Sequence, residues 1–224
     1  MVRKISFIIL GIASIAAGIA LLLSARAYLV KKSTVPFTPQ LPSFQFKVPT
    51  QAIDGQITNP VGDVVKIARD STISAQVKTG DSFLPAETLT THGKSAATIT
   101  FGDNGVVTLS PWSEVIYSDG IPSSLLLIQD QGTVRYTTSS SSPLQIRIWH
   151  ALISTVNGSV RITLNTTRHT ASVLVLSGSA SMAMIDKTNQ TRVLSLTEKQ
   201  TGQINDTTRL MNLVSPLKKS VKLR

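Results

Sequence analysis

From Val61 onward, apolar and polar residues alternate in short runs that are separated by Gly, Asp, Asn, Ser and Pro. Alternation with a period of two places successive side chains on opposite faces of a strand, so each run predicts a half-buried β-strand. Because the runs are short and regularly spaced, we expect an all-β domain, either a single sandwich or roll or a short β-solenoid. The predicted strands are Val64–Ala68, Thr72–Val77, Ala97–Phe101, Val106–Leu109, Glu114–Tyr117, Leu125–Ile128, Thr133–Thr137, Leu144–Trp149, Ala151–Thr155, Val160–Leu164, Ala171–Leu176, Ala180–Ile185 and Arg192–Leu196.

The clearest local signal is a hairpin. Ala97–Phe101 and Val107–Ser110 both alternate, and Gly102-Asp103-Asn104-Gly105 lies between them. Asn-Gly tolerates the positive φ angles of a tight hairpin turn, so the dipeptide predicts such a turn here. Pro111 lacks the N–H that a continuing ladder needs, so we expect it either to end the second strand or to place that strand at a sheet edge.

Two more dipeptides predict turns, Asp119-Gly120 and Asn157-Gly158. Ala97–Leu109 and Ala151–Leu164 therefore share the order strand, Asn-Gly, strand. The shared order suggests either an internal duplication or two unrelated hairpins.

The chain also contains one long apolar run. Ile5 to Leu23 is 19 residues without a charge, flanked by cations on both sides. As a helix it would be about 28 Å long, close to the hydrocarbon thickness of a bilayer. One interpretation is a membrane anchor. The other is a signal peptide cleaved at Ala25-Arg26-Ala27. The anchor is favoured because the run exceeds the usual length of a signal-peptide apolar region.

These patterns divide the chain into five segments. We expect a short cytoplasmic end at 1–4, a transmembrane signal anchor at 5–25 and a tether at 26–60. The β domain occupies 61–206 and a basic tail 207–224. The tether is predicted because five of the ten prolines lie in it, which favours extended backbone. Leu210–Val214 is expected to add a strand or a short helix to the domain before Pro216.

The net charge of +10 raises the question of a nucleic-acid partner. Residues 1–32 carry five basic residues and no acid, and residues 215–224 carry four. The segment between them holds 13 basic and 12 acidic residues. The excess charge therefore lies at the two ends, and a nucleic-acid partner is not expected. The basic tail is either solvated or attracted to anionic lipid or an acidic wall polymer.

A series of short motifs resembles the FecR domain family. The central part of the series, within 80–113, is Gly80-Asp81, Leu89-Thr90-Thr91, Gly93-Lys94-Ser95-Ala96, Asp103-Asn104-Gly105 and Pro111-Trp112-Ser113. The series continues with Gln131–Tyr136, Asn157–Val160, Val173–Gly178 and Leu196 to Gln203. The resemblance covers about two thirds of the chain, from Gly62 to Ile204. It implies an extracytoplasmic domain and a role in relaying an outer signal to a sigma factor. The chain departs from the family pattern, since Met1–Lys4 is too short for the cytoplasmic region that performs this relay.

No catalytic pattern stands out. His92, His150 and His169 are each alone in their local sequence, and the acids are scattered. Leu176-Ser177-Gly178-Ser179-Ala180 only partly matches a nucleophile elbow. Trp112 and Trp149 suit either a ligand platform or the core, and the core is favoured. Cysteine is absent, so no disulfide or thiolate site is possible. We expect no catalytic, cofactor-binding or metal residues, no cofactor and no enzymatic activity.

The sequence therefore predicts a single-pass protein of a prokaryotic cell membrane with its C-terminal domain outside the cytoplasm. The favoured function is a non-enzymatic binding or scaffold module whose partner is a cell-wall polymer or an envelope protein. The alternative is transmembrane signalling of the FecR type through a membrane partner. For that alternative, Gly11 and Gly18 would allow close packing of the span against another helix. A hydrolase built from distant residues is the third hypothesis.

Overall fold

The computed structural model describes residues 53–121, 124–139 and 141–214. These residues form sixteen β-strands and one 3-10 turn at Gly102–Asn104, so the all-β prediction is confirmed. Within these three ranges, no helix has the length and apolarity that a bilayer crossing requires. The predicted end 1–4, the span 5–25, most of the tether and the last ten residues lie outside the described residues. The strands are β1 (Gly55–Ile57), β2 (Val64–Ile67), β3 (Ser74–Gln76), β4 (Ser82–Phe83), β5 (Thr88–Thr91), β6 (Ala97–Thr100), β7 (Val106–Leu109), β8 (Ser113–Ile121), β9 (Ser124–Gln131), β10 (Thr133–Thr138), β11 (Leu144–Ile148), β12 (Ala151–Asn165), β13 (Thr170–Ile185), β14 (Thr191–Thr197), β15 (Thr201–Asn205) and β16 (Leu210–Val214).

All sixteen strands belong to one sheet, in which the long hairpin of β12 and β13 joins two arms. The first arm runs β3-β2-β5-β8-β9-β11 and reaches the N-terminal half of β12, and β14 extends it beyond β13. The second arm runs β4-β1-β6-β7-β10 and reaches the C-terminal half of β12, and β15 and β16 extend it beyond β13. Among the pairs formed by the described strands, only β9 and β11 are parallel. Antiparallel pairing of this kind fits the predicted roll better than the solenoid.

The sheet curls, so the inner faces of the two arms pack against each other. Tyr117 of β8 in the first arm lies 5.8 Å from Phe83 of β4 and 5.1 Å from Phe101 beside β6, measured between ring centroids. Both partners belong to the second arm. The three rings are fully buried, and aromatic pairs at such distances stabilise a core beyond their buried area. The curl is therefore held by side chains that meet across the interior.

The core follows the alternation in the sequence. In β6 and β7 the buried residues are Ala97, Ile99, Val107 and Leu109, and the residues between them are partly exposed threonines and valine. The same period of two continues through β8 to β13. Pro111 lies in the corner after β7, so the expected end of that strand is confirmed.

Three turn predictions need correction. The hairpin of β6 and β7 is confirmed, but its connection is a 3-10 turn, with φ of +53° at Gly102 and an extended Gly105, not a tight Asn-Gly turn. Asp119-Gly120 lies within β8 and Asn157-Gly158 within β12. Asn157 has φ of 46° at a β-bulge, because the same left-handed conformation that closes a turn also makes a bulge. Ala151–Leu164 is therefore one bulged strand, and the suggested duplication of a hairpin is wrong.

The described sheet extends beyond 61–206 at both ends. β1 lies in the segment predicted as a tether. β16 lies in the segment predicted as a tail, and it is the strand expected there at Leu210–Val214 as one of two alternatives. Where the chain enters the domain, the Ile53 N–H donates to the carbonyl of Gly120 at 3.1 Å, and the Tyr117 hydroxyl donates to the Ile53 carbonyl. Gly120 is required beside that hydroxyl, since a Cβ there would lie 1.7 Å from the Tyr117 oxygen. We call these contacts the Ile53 clamp.

Candidate functional site

The candidate site lies at the corner between β11 and β12. Ile148 and Ala151 are paired, so the two residues between them make a tight connection. Trp149 takes a φ of 45° there, in the left-handed region that such two-residue corners require. Its side chain is partly buried and packs against the core. His150 follows it, with half of its side chain exposed.

Trp149 and His150 are tied to turns that come later in the chain. The Trp149 and His169 rings lie 5.9 Å apart between centroids. His150 Nδ1 lies 2.9 Å from Asp206 Oδ1, and the Asp206 N–H donates to the carbonyl of His169 at 2.9 Å. The four residues form one connected cluster that joins the two arms. His150 immediately precedes the half of β12 that pairs with the first arm, and Asp206 immediately follows β15 of the second arm.

Beside this cluster is an apolar groove with a volume of about 550 Å³. Its floor includes Leu152 of β12 and Ala183 of β13, which pair with each other. Val193 of β14 pairs with Ala183 and continues the apolar row beyond the groove. Leu152 is 37%, Ile185 51% and Val193 65% exposed. Large apolar side chains exposed side by side commonly mark a binding surface. We call this surface, with Trp149 at its edge, the Trp149 groove.

Two cations flank the floor. Arg147 lies opposite Leu152 in β11, and Arg209 donates to the carbonyl of Ile185 at 3.3 Å. Among the described residues that line the groove there is no acid, and neither arginine belongs to an ion pair between described residues. The surface therefore combines exposed apolar side chains with two arginines that form no ion pair between described residues.

Acids do line the adjoining groove, but each already has partners. Asp186 accepts hydrogen bonds from the Thr188 hydroxyl at 2.6 Å, from Arg192 Nε at 2.8 Å and from the N–H groups of Thr188 and Gln190. The Thr188 hydroxyl, with the Arg192 guanidinium after it, holds the pKa of Asp186 well below its usual range. Asp206 is bonded to His150. These carboxylates stabilise turns, and neither forms an ion pair with Arg147 or Arg209.

The other tryptophan is at a separate corner. Trp112, between β7 and β8, has φ of 58° and is 60% exposed, so the expectation that it fills the core is wrong. Its ring lies 6.2 Å from the ring of His92. His92 Nδ1 lies 2.8 Å from Asp63 Oδ2, near enough for an ion pair but not aligned for a hydrogen bond.

The structure thus gives each histidine a partner that its local sequence does not show. The described residues contain no group of three or more side chains suited to hold a metal ion. Ser177 lies inside β13 and not between strands, so the partial match to a nucleophile elbow has the wrong structural context. The sequence did not point to Leu152, Ile185, Arg147 or Arg209. The signal that could have indicated this surface is that β12, β13 and β14 carry apolar residues at both odd and even positions, which places some of them on the outer face of the sheet.

Comparisons with known proteins give limited results. A scan against protein-family models finds no match, and a search of curated proteins finds none. Two solved crystal structures of a "putative anti-sigma factor" from Parabacteroides distasonis are similar in fold, each with a TM-score of 0.49. Their sequences are 16% and 15% identical to this chain. In both, the similarity covers 57% of this chain and 59% of theirs, so the chain spans less than two thirds of their length.

Proposed function

We propose that this protein is a membrane-anchored, extracytoplasmic and non-enzymatic binding module of a prokaryotic envelope. Its Trp149 groove binds an extended peptide segment of an envelope protein in which acidic residues alternate with apolar ones. The motif series that resembles the FecR domain and the uncharged run Ile5–Leu23 support the location. The groove supports the binding role.

The observation that carries the proposal is the exposed apolar row with cations and no acid. Leu152, Ala183 and Val193 form a strip across three strands, with Arg147 beside one end. A peptide with apolar side chains would remove this strip from water, and its carboxylates would face Arg147 and Arg209. Among the described strands, β14 pairs with β13 alone, and backbone hydrogen bonds from its other edge to an extended peptide would add to the binding.

Tryptophan fluorescence provides the test. The chain has two tryptophans, so the variant Trp112→Phe leaves Trp149 as the single emitter. The full chain in neutral detergent is titrated with a peptide of alternating Asp and Leu, and in parallel with a peptide of alternating Lys and Leu. We expect saturable binding of the acidic peptide and much weaker binding of the basic one.

Substitutions locate the binding. Leu152→Asp should abolish binding, since it places an acid in the apolar floor. Arg147→Gln with Arg209→Gln should weaken it by about 2- to 30-fold, the effect of losing two exposed ion pairs. Lys78→Gln removes the same kind of charge elsewhere and should leave the affinity unchanged. Equal affinity for the two peptides, or full affinity in the double arginine variant, would refute the proposal.

Signalling through a membrane partner is the second candidate, favoured by the FecR-like motif series. This function requires that binding of a ligand to the β domain change how the transmembrane segment contacts its membrane partner. Replacing residues 5–23 by polyleucine would leave the groove intact and should abolish recovery of a cross-linked membrane partner. If recovery is unchanged by that replacement, signalling through the span is contradicted and the binding module stands alone.

A further inference from the structure

The charge on the second arm is unusually distributed. Nine strands make up this arm and the central hairpin, namely β1, β4, β6, β7, β10, β12, β13, β15 and β16. In these nine described strands there is no Asp, Glu or Lys, and the only charged residues are Arg135 in β10 and Arg161 in β12. The acids of the described chain lie in β8, in β9 and in loops or turns.

The two arginines face each other. Arg135 is paired directly with Arg161, both are exposed, and both belong to the outer face of the sheet. Like charges directly opposite on neighbouring strands destabilise a sheet. Neither arginine takes part in an ion pair between described residues, so nothing described offsets this repulsion. An anion bound between the two guanidinium groups would offset it.

A buried hydroxyl positions one of the arginines. Ser159 is 2% exposed, and its Oγ accepts a hydrogen bond from Arg135 Nε at 3.0 Å and lies 2.9 Å from the hydroxyl of Thr137. The bond uses one of the five N–H groups of Arg135 and leaves the two terminal nitrogens for a ligand. On the other side, the hydroxyls of Thr133 and Thr163 are bonded to each other at 3.1 Å.

The polar surface continues beyond this pair. A groove of about 440 Å³ begins at Thr163, two residues after Arg161 on the same face. Arg168 and the amides of Asn165, Gln203 and Asn212 also line it. A ligand longer than one anionic group would therefore find further donors along β15 and β16.

We propose that Arg135 and Arg161 form a binding site for a phosphate group. Each guanidinium presents parallel N–H groups that match two oxygens of an oxyanion. A carboxylate has two oxygens, which satisfy one such fork, whereas a phosphate has enough oxygens for two. The neighbouring groove takes the rest of the molecule that carries the phosphate, whether that is a soluble polyphosphate or phosphodiester or a phospholipid headgroup.

The absence of cysteine allows a direct test. Thr98→Cys places one fluorophore on the same face, in the row that Thr98, Thr108 and Arg135 form across β6, β7 and β10, about 10 Å from Arg135. The labelled full chain in neutral detergent is titrated with inorganic tripolyphosphate at constant ionic strength. We expect a saturable change in emission.

Variants separate a site from general charge attraction. Arg135→Gln and Arg161→Gln should each weaken the binding about tenfold or more, since each removes charged hydrogen bonds. Arg135→Lys should weaken it as well, because Lys lacks the fork. Lys78→Gln, with the same loss of charge, should change the affinity less than twofold. Equal effects of the Lys78 and arginine variants, or no saturation, would overturn the proposal.

The source of the phosphate is distinguished with the same label. The full chain in discs of phosphatidylcholine is compared with discs that also contain phosphatidylglycerol. A response to the phosphatidylglycerol discs that Arg161→Gln abolishes identifies a lipid headgroup. A response to tripolyphosphate alone identifies a soluble or polymeric phosphate.

Stability without a ligand gives an independent readout. Arg161→Gln should raise the melting temperature of the free protein by about 1–3 °C, because it removes the repulsion of like charges. Saturating tripolyphosphate should reverse this order, since it binds the intact arginine pair more tightly and so stabilises the parent more than the variant. An unchanged order in tripolyphosphate would contradict the site even if the variants fold normally.

Discussion

The Tyr136→Phe variant isolates one hydrogen bond in the middle of the sheet. The Tyr136 hydroxyl donates to Gln129 Oε1 at 3.1 Å, and both side chains are fully buried. Gln129 Nε2 in turn donates to the carbonyls of Gly132 and Ile162 at 3.0 and 3.3 Å. The substitution removes one oxygen and leaves the ring in place, so the amide oxygen of Gln129 loses its donor without a large cavity.

The expected cost follows from that unmatched oxygen. A buried polar atom left without its partner costs about 1–3 kcal/mol. For a domain of this size, each kcal/mol lowers the melting temperature by about 2–4 °C, so the variant should melt about 2–12 °C lower. Gln129→Leu combined with Tyr136→Phe removes both ends of the bond. The double variant should be more stable than the sum of the two single changes predicts, with a coupling of about 0.5–3 kcal/mol.

Chemical unfolding of the full chain in neutral detergent, followed by tryptophan emission, measures all three variants. Val134→Ala supplies a control for loss of buried volume in the same strand. A free energy of unfolding for Tyr136→Phe within about 0.3 kcal/mol of the parent would refute the reasoning. Burial also raises the pKa of Tyr136. The contribution of the neutral Tyr136 hydroxyl to the free energy of unfolding is therefore complete below about pH 10 and is lost as the pH rises further. The difference in stability between the parent and Tyr136→Phe should shrink accordingly in alkali.

Two further predictions concern turns. Gly132→Ala should strongly destabilise the protein, because Gly132 has φ of +81° and a Cβ there would lie 2.2 Å from the carbonyl oxygen of Trp112. Gly80→Ala is the matched control, with φ of +93° and no atom within 4 Å, so thermal unfolding should show only the cost of about 1–2 kcal/mol for the backbone conformation. Asp186→Asn should lower stability at neutral pH, because it removes the charge that Thr188 and Arg192 hold. Since the pKa of Asp186 is lowered, the parent should lose this advantage as the pH falls below about 4, and a melting-temperature profile in which the gap stays constant down to pH 2 would contradict the assignment.

The sequence predicted the strands and their inner faces well because burial depends on local alternation. Ile99, Val107 and Leu109 are buried as their spacing indicates. Turn dipeptides were a weaker guide. Asn157-Gly158 supplies the left-handed backbone of a bulge within β12, and a Cβ at Gly158 would lie 2.8 Å from the carbonyl of Ser177. The same local conformation serves a turn or a bulge, and only the partner strand decides between them.

The candidate sites depend on pairing between distant strands, which alternation does not specify. Arg135 and Arg161 are 26 positions apart and meet only because β10 pairs with the second half of β12. Leu152 and Val193 come together through β13, which lies between their strands. Each residue taken alone looks like an ordinary surface residue. The pairing register determines which of these residues become neighbours. The bulge in β12 and the packing of the core on the other face set that register.

The Ile53 clamp has a mechanical consequence. A pull on the chain from its N-terminal side reaches Ile53 before it reaches β1. There the load passes to Gly120 and Tyr117 of β8, a strand paired on both sides, and to the rings of Phe83 and Phe101 behind it. The short β1, which pairs over only two residues with each neighbour, is shielded from being peeled away. Tension applied at the N-terminal side of the domain would therefore be borne by its interior.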